Sequence, residues 1–590
     1  MFFPRYSQIP VRSRNEVVFW CFAVFMLLLF LGRNALWGLE GRCAEVVREM
    51  LVTGDIFNPQ INAVAEKTRL PLSYWVLLPG TILFGTDEFI LRLPAVISAL
   101  ILLAATRMIT RKLFDAETAL ISMWVLLSTY GFVFWSRVAA PDIANAAAVA
   151  CAVACFLHWN DIPHFKDYLL FYLLLGAGSL FKGVPMVAIV FLLVLPFVFK
   201  KGNLKKYCSW QHFFALLLGI CAGMIPYWLF GAFDAGLNGG GSAAGSGIEI
   251  LWKTQILRIL DARFSGEKAY SYLYHLPRIL IPWSAVFAVG FFTFVKKHKS
   301  LPGEFSSLLS GIFLVFLLFS LFGSRRWYYL LPLVPFCSVV TAAVLNGYAG
   351  ESKTIDWILE LTYFGLLAFA SLALALPIAL PLQGIVFRYY VPMIVILSCF
   401  CAGFIIVLLL IFDRGEDNSV ARFFAMPPRI AGLTAGMAIA VTTIFCSVLP
   451  AFTVFRSERP FALELRKQVD GISPDKIFFC SGALNSRVLF YLAPIQPVKH
   501  GENLAAFICR NAGGRIAVIS EDTPAALSSL EKELDKLQSA VLKTDKPHIQ
   551  ETHLYYEPKG KEKLRAWIFD VPANMTIKQQ IDNKKGPKNE

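Results

Sequence analysis

Charged residues recur at the ends of apolar runs in this chain. Glu40 and Arg42 follow the first such run, and Arg69 precedes LPLSYW. Arg137 and Asp142 bracket the break in SRVAAPD, Lys182 stands in the FKGVP turn, and Arg325 and Arg326 open SRRWYYLLP. A charge at the end of a membrane span costs less than one at the bilayer centre, yet several on one face call for a reason. Arginine supplies a fork of donors that matches phosphate, and lysine supplies a point charge. With carboxylates alongside, the set suits a site for an anionic, lipid-linked substrate. For an isolated cation such as Arg388 the better reading is an anchor that snorkels to the headgroups.

The elements that position these residues are hydrophobic helices. The chain has 590 residues, of which 56% are hydrophobic and 16% charged, and a mean hydropathy of +0.58. These values describe an α-helical polytopic membrane protein. The formal net charge of +14 does not indicate nucleic acid, because Lys and Arg gather in short clusters between apolar runs, as the positive-inside rule expects. Arg5, Arg12 and Arg14 precede an apolar run from Val17 to Leu31 with no small-residue cleavage site after it, which reads as an uncleaved first span.

Runs long enough to cross the hydrocarbon core number about 13. They cover 17–37, 89–107, 116–135, 142–158, 166–181, 184–199, 209–230, 277–295, 304–322, 328–348, 355–378, 388–412 and 428–454. On this count the basic clusters at Arg107, Arg111 and Lys112, at Lys200, Lys201, Lys205 and Lys206, at Lys296, Lys297 and Lys299, and at Arg414, Arg422 and Arg429 share the side of the N-terminus. That side is the cytoplasm. The segment Pro71 to Gly85 is apolar but short and interrupted by Pro79 and Gly80, so it reads as an interfacial helix; counting it as a span would reverse every later loop.

The chain therefore divides into a membrane domain over 1–454, a periplasmic α/β domain over 455–574 and a tail over 575–590 expected to be disordered. The membrane domain carries a first outer loop over 38–88 with interfacial helices and a second over 231–276. In the first loop Cys43, Val46, Val47, Met50 and Leu51 repeat at helical spacing, with Arg42, Glu45, Arg48 and Glu49 on the other face. That pattern predicts an amphipathic helix lying on the membrane. The second loop begins GAFDAGLNGGGSAAGSG, a flexible linker or a mobile flap, without the Lys-Ser/Thr ending of a phosphate loop. In the last domain KIFFC, RIAVIS and RAWIFDV read as strands and ALSSLEKELDKLQSAVL as a helix, with no constellation resembling an active site. No CxxC pair occurs; Cys480 and Cys509 share this domain, either as a disulfide or as separate buried thiols.

The segments EGRCAEVVREMLVTGD, TRLPLSYWVLLPGTILFG, FILRLPAVISALILLA, SRVAAPD, FKGVP and RRWYYLLP together resemble a known family. It is the polytopic glycosyltransferases of the type C fold, which include the lipid A aminoarabinose transferases and the protein O-mannosyltransferases. The resemblance covers roughly the first 350 residues in register, and the order and spacing of the segments carry it. It implies a polyprenyl phosphate sugar donor and a carboxylate general base in the first outer loop. The family pattern there is Asp-Glu-x-Arg; here Leu39 stands at the Asp position while Glu40 and Arg42 match. Glu40 is the implied base and Asp142 the second choice. The Glu-Lys-Pro element of many members aligns with Thr68, Arg69 and Leu70. Arg42, Arg69, Lys182, Arg325 and Arg326 remain to hold the donor phosphate, with Tyr329 adding a hydroxyl donor. Some members bind a divalent metal through that Glu and a His in the later outer loop. Thr68 replaces the Glu here, and Glu267 falls at the His position with His275 nearby, so these two are weak candidates for a divalent metal and a lone His at a span end reads more readily as a polar anchor.

The expected activity is transfer of a sugar to lipid A, another glycolipid or polysaccharide, or a protein hydroxyl, at the periplasmic face of a bacterial inner membrane. A transporter or flippase of lipid-linked sugars is the rival class. It should show ionisable residues near mid-span and inverted repeats, neither of which is legible. A non-catalytic lipid-binding relative is the third reading, on account of Leu39.

Overall fold

The computed structural model describes residues 13–66, 72–159, 163–199, 207–238, 268, 270–297, 302–321, 325–350, 353–362, 364–365, 457–480, 484–501, 504–521, 554–556 and 564–571. The chain forms two compact units, one of residues 1–34 and 67–451 and the other of residues 35–66 and 452–590. The first outer loop is thereby divided, and its first part is built together with the C-terminal residues.

The first unit is helical. Among the described residues three helices are long and apolar enough to cross a membrane: Glu88–Leu113, Gly303–Leu321 and Trp327–Leu345. Ser271–Ile279 and Ser284–Lys296, which meet at a bend of 113°, form a fourth if taken as one span. Other apolar helices accompany these, including Ala116–Leu127, Asp142–Leu157, Phe165–Lys182, Val184–Val198 and Trp210–Asn238. Two expected spans change form. The 116–135 run breaks after Leu127 and resumes as Tyr130–Trp135, because Thr129 is extended. The 277–295 run begins later, at Ser284, and its first residues belong to a separate amphipathic helix that buries Tyr272 and His275 while exposing Leu273 and Tyr274. Pro71 to Gly85, expected as one interfacial helix, is described from Leu72 on as two short pieces, Leu72–Trp75 and Leu78–Phe84. The expected spans 388–412 and 428–454, most of 355–378 and most of the second outer loop lie outside the described residues.

Buried cations close the first helix. Ser13–Leu28 ends with carbonyls that no helical N–H can reach. Arg137, 4% exposed, donates to the carbonyls of Met26 at 2.9 Å, Leu27 at 3.1 Å and Leu29. Arg92, 2% exposed, donates to those of Leu31 at 2.9 Å and Asn34 at 2.8 Å. Arg137 is therefore a structural cation and not one facing a ligand. The other end of the same helix is tied by Glu16 to Arg107 at 2.7 Å. Asp87 and Asp115 cap the helices Glu88–Leu113 and Ala116–Leu127 by accepting from the N–H groups of Ile90 and Thr118, each at 2.8 Å.

Small residues let helices approach. A Cβ on Gly223 would lie 3.3 Å from the Cα of Gly176, and one on Gly219 would lie 2.3 Å from the Cβ of Tyr172. The Phe165–Lys182 and Trp210–Asn238 helices thus pack backbone to backbone, which suits association in lipid, where burial of apolar surface supplies no drive.

The second unit centres on a five-stranded sheet. The short hairpin β1 (Gln60–Ile61) and β2 (Val64–Ala65) stands apart from it. The sheet order is β4-β3-β5-β7-β6, with β3 (Ile477–Cys480), β4 (Lys499–Gly501), β5 (Arg515–Glu521), β6 (Leu554–Tyr556) and β7 (Leu564–Asp570). Strand β3 runs parallel to β4 and β5, and β7 runs antiparallel to β5 and β6. Five successive residues of β5, Ile516 to Ser520, are buried, as a central strand covered on both faces requires. Cys480 and Cys509 are free thiols packed against the cluster of Phe478, Ile508, Val518 and Trp567. The ALSSLEKELDKLQSAVL segment and the Lys-rich tail lie outside the described residues.

The helix Leu39–Thr53 corrects an expectation. It buries Glu45, Arg48 and Glu49 as well as Cys43, Val46, Val47 and Met50, so most of the face expected to be solvated is packed inside its own unit. The reason is a complete set of polar partners, described below. Gly41 allows the helix to meet Ser486–Leu492, since a Cβ there would lie 2.1 Å from the Cγ of Arg487.

Gly219→Val drives its branched side chain into Tyr172, at an expected cost of about 1–3 kcal/mol. The midpoint of thermal unfolding in detergent should fall; an unchanged midpoint would show that the two helices do not pack at this distance.

Candidate functional site

In the first unit the sequence candidates Asp142, Lys182 and Tyr329 come together. Asp142 opens the helix Asp142–Leu157 after Pro141, and Lys182 closes the helix Phe165–Lys182 before Gly183, whose φ of 81° turns the chain. An anion at a helix N-terminus and a cation at a C-terminus each complement the helix dipole. Their side chains form an ion pair in which Asp142 is 1% and Lys182 23% exposed. The second oxygen of Asp142, and Oδ1 of Asn145 one turn further on, are buried with no hydrogen-bond partner among the described residues.

Aromatic faces complete the surroundings of Lys182. Its Nζ stands 4.8 Å from the ring centroid of Tyr328 and 5.2 Å from that of Tyr329, within cation–π range. Tyr328 packs on Trp135 at 5.1 Å, and Trp135 on Trp327 at 5.5 Å. The guanidinium of Arg278 lies 5.0 Å over Trp327. The backbone N–H of Arg326 donates to the hydroxyl of Tyr272 at 3.3 Å, and Arg325 reaches the carbonyl of Ser320 at 3.4 Å. Ser73 donates to the carbonyl of Phe181 at 2.9 Å, which ties the LPLSYW segment to the residue before Lys182. A cleft of about 280 Å³, open solvent included, lies between Ser73, Leu77, Pro94, Ser98, Pro141 and Ala144.

This arrangement preorganises one partly exposed ammonium. Asp142 holds it from the buried side, the rings of Tyr328 and Tyr329 lie against it, and its side chain is 23% exposed. With one oxygen on Lys182 and the other enclosed, Asp142 has the geometry of a group that orients the lysine.

Glu40 and Arg42 belong to the second unit. Glu40 is fully buried, and its Oε2 accepts from the N–H of Trp37 at 3.2 Å, just ahead of its own helix. Arg42, 41% exposed, pairs with buried Glu66 at 2.7 Å. Arg48 makes two bonds of 2.8 Å to Glu45 and a third of 2.8 Å to the carbonyl of Pro494. Burial pushes the Glu45 carboxyl up from 4.5 to about 7, against the opposing pull of Arg48.

Arg69 and Glu267 lie outside the described residues. His275 is 4% exposed and its ring is 4.2 Å from that of Tyr274. Among the described residues no group of three or more His, Cys, Asp or Glu is placed to hold a metal ion. Tyr328, Trp327, Trp135 and Arg278 were not singled out from the sequence. The run WYY beside two arginines was an available signal, whereas Arg278 was concealed by the expected span over 277–295.

Residues 67–229 match the family model of dolichyl-phosphate-mannose-protein mannosyltransferases. An uncharacterized protein of Aquifex aeolicus is 24% identical over 356 residues, 59% of this chain and 66% of its own length. An undecaprenyl phosphate-alpha-4-amino-4-deoxy-L-arabinose arabinosyl transferase of Shewanella sediminis is 22% identical over 425 residues, 69% of this chain and 73% of its own length. The chain thus spans about two thirds of the length of these curated relatives. Among solved structures, ArnT of Cupriavidus metallidurans bound to undecaprenyl phosphate superposes with a TM-score of 0.69 at 17% identity, covering 94% of this chain and 98% of that one. The likeness shows a shared fold.

Glu45 binds its proton more tightly folded than unfolded, so between pH 4.5 and about 7 the native state carries the extra proton and stability falls as pH rises. The expected loss is of order 1–3 kcal/mol. Thermal unfolding of wild type and Glu45→Gln from pH 5 to pH 8 should differ by this slope; parallel profiles would contradict it.

Proposed function

Because the chain resembles the polytopic type C glycosyltransferases, we propose that it is an integral membrane enzyme that moves a sugar from a polyprenyl phosphate donor to an acceptor hydroxyl. The proposed setting is the periplasmic face of a bacterial inner membrane, with the N-terminus cytoplasmic and the C-terminal domain periplasmic. The observation that supports it best is the Lys182 ammonium held between Asp142 and the rings of Tyr328 and Tyr329. Both charged residues fall inside the segment that matches the mannosyltransferase model.

The chemistry asks for such a cation. In the donor the phosphate is a diester with one negative charge. As the acceptor oxygen bonds to the anomeric carbon, the bond from that carbon to the phosphate oxygen breaks and its electron pair stays on phosphate. A fixed positive charge therefore interacts more strongly with the transition state than with the bound donor, which is what accelerates the step. Lys182 is assigned that role and Asp142 the role of orienting it. Arg42, Arg69, Arg325, Arg326 and the Tyr329 hydroxyl are the further candidates for the donor phosphate. The acceptor proton goes to Glu40, which must first be uncovered, since it is enclosed and already bonded to the Trp37 N–H. That enclosure is also the observation that favours the second reading, a lipid-binding relative without transferase activity.

The test is turnover by purified protein, with undecaprenyl phosphate-4-amino-4-deoxy-L-arabinose as donor probe and lipid A as acceptor probe. Lys182→Ala should lower kcat by roughly 10²–10³, Glu40→Gln should abolish transfer, and Asp142→Asn should fall between wild type and Lys182→Ala. Wild-type turnover in both Lys182→Ala and Glu40→Gln would sink the assignment. Binding of the donor by wild type without any transfer would favour the non-catalytic reading.

A further inference from the structure

Asn62 is the junction of three elements of the second unit. Its backbone N–H and that of Ala63 donate to the carboxylate of Glu49, at 2.8 and 2.7 Å. Glu49 sits on the helix Leu39–Thr53, the element that carries Glu40 and Arg42. The Asn62 side chain faces the other way. Its Nδ2 donates to the carbonyl of Val498 at 2.9 Å and its Oδ1 accepts from the N–H of the same residue at 2.8 Å. Val498 directly precedes β4, and His500 within that strand lies 3.3 Å from Nδ2.

An amide that both donates to and accepts from one residue reproduces the pairing of a neighbouring strand. The sheet edge at β4 is thereby joined to the hairpin turn, and through the backbone of that turn to the helix. Asparagine suits the position twice. Asn62 and Ala63 form the two-residue turn between β1 and β2 with φ of 55° and 60°, and asparagine tolerates the left-handed region better than other residues that have a Cβ. It is also 6% exposed, so its four polar contacts are made away from water, where a lost partner is costly. Two further bonds fasten the same segment to the C-terminal residues: Leu36 N–H to the Tyr491 hydroxyl at 2.8 Å, and Arg48 to the carbonyl of Pro494.

We infer that Asn62 is a positioning residue for transfer, and that the C-terminal α/β sheet serves through it as the mount for the helix bearing Glu40. The inference rests on the reading of Glu40 as general base. It gives the C-terminal domain, in which the sequence shows no site, a part in catalysis without a ligand of its own. Loss of the clamp misplaces a base, an error that costs about 10- to 100-fold in rate, while leaving contacts to the donor phosphate in the first unit intact.

The variant that isolates the clamp is Asn62→Gly, because glycine keeps the left-handed turn without strain and removes only the side-chain bonds. Asn62→Asp keeps the oxygen that accepts from Val498 and loses the donor. With the full-length protein in detergent, hydrogen exchange across residues 39–53 should be faster in Asn62→Gly than in wild type. Turnover of the same donor and lipid A probes should show kcat about 10- to 100-fold lower, with a KM for donor no higher than that of Arg42→Ala, the donor-phosphate candidate on the same helix, and with Asn62→Asp in between. Equal exchange in wild type and Asn62→Gly overturns the clamp. Faster exchange with unchanged kcat overturns the positioning role. A fully active Glu40→Gln shows instead that the underlying reading of the base has failed.

Discussion

A charge enclosed among apolar helices costs several kcal/mol unless an opposite charge and hydrogen bonds accompany it, and the first unit is arranged around that constraint. Asp142 is withdrawn from solvent at the start of one helix, and Lys182 at the end of another is set against it. Once that pair is fixed, the positions of other groups follow. Gly183 must turn the chain immediately, Tyr328 and Tyr329 offer their faces to the ammonium, and Trp135, Trp327 and Arg278 stack behind them. Arg92 and Arg137 meet the same constraint differently, by spending their donors on carbonyls at the end of the first helix. Among the described residues, Arg92 and Arg137 are thus consumed by the fold, whereas Lys182 keeps part of its side chain exposed.

The second unit applies the same rule to a loop. A helix of glutamates and arginines is stable inside a protein only if each polar group finds a partner, and Glu45, Arg48 and Glu49 do so through Arg48, Pro494, Asn62 and Ala63. The consequence is that residues 35–66 and the C-terminal sheet are one structure, although more than 380 residues separate them in the chain. On the proposed reading of Glu40 as the base, such a mount limits small displacements on which catalysis depends.

What the sequence disclosed follows from which signals are local. Apolar length and helix-end charges located Asp142, Lys182 and the helices that hold them, and continuous apolar runs located β3, β5 and β7. The edge strands β4 and β6 were not legible, since KHG and LYY are short and lack alternation. Helical spacing in Leu39–Thr53 was visible, but the burial of its polar face was not, because its partners Asn62, Pro494 and Val498 come from elsewhere in the chain. For the same reason Tyr328 and Arg278 were hidden. An aromatic face over a cation is a tertiary relation with no fixed sequence spacing.

The central claim is that Lys182 is the cation that receives a lipid-linked phosphate. Its most direct test is ³¹P NMR titration of undecaprenyl phosphate against the purified protein. The account predicts a shifted bound resonance for wild type and at least about tenfold weaker binding for Lys182→Gln, the loss of one charge-assisted contact. Equal affinity of Lys182→Gln and wild type would contradict it.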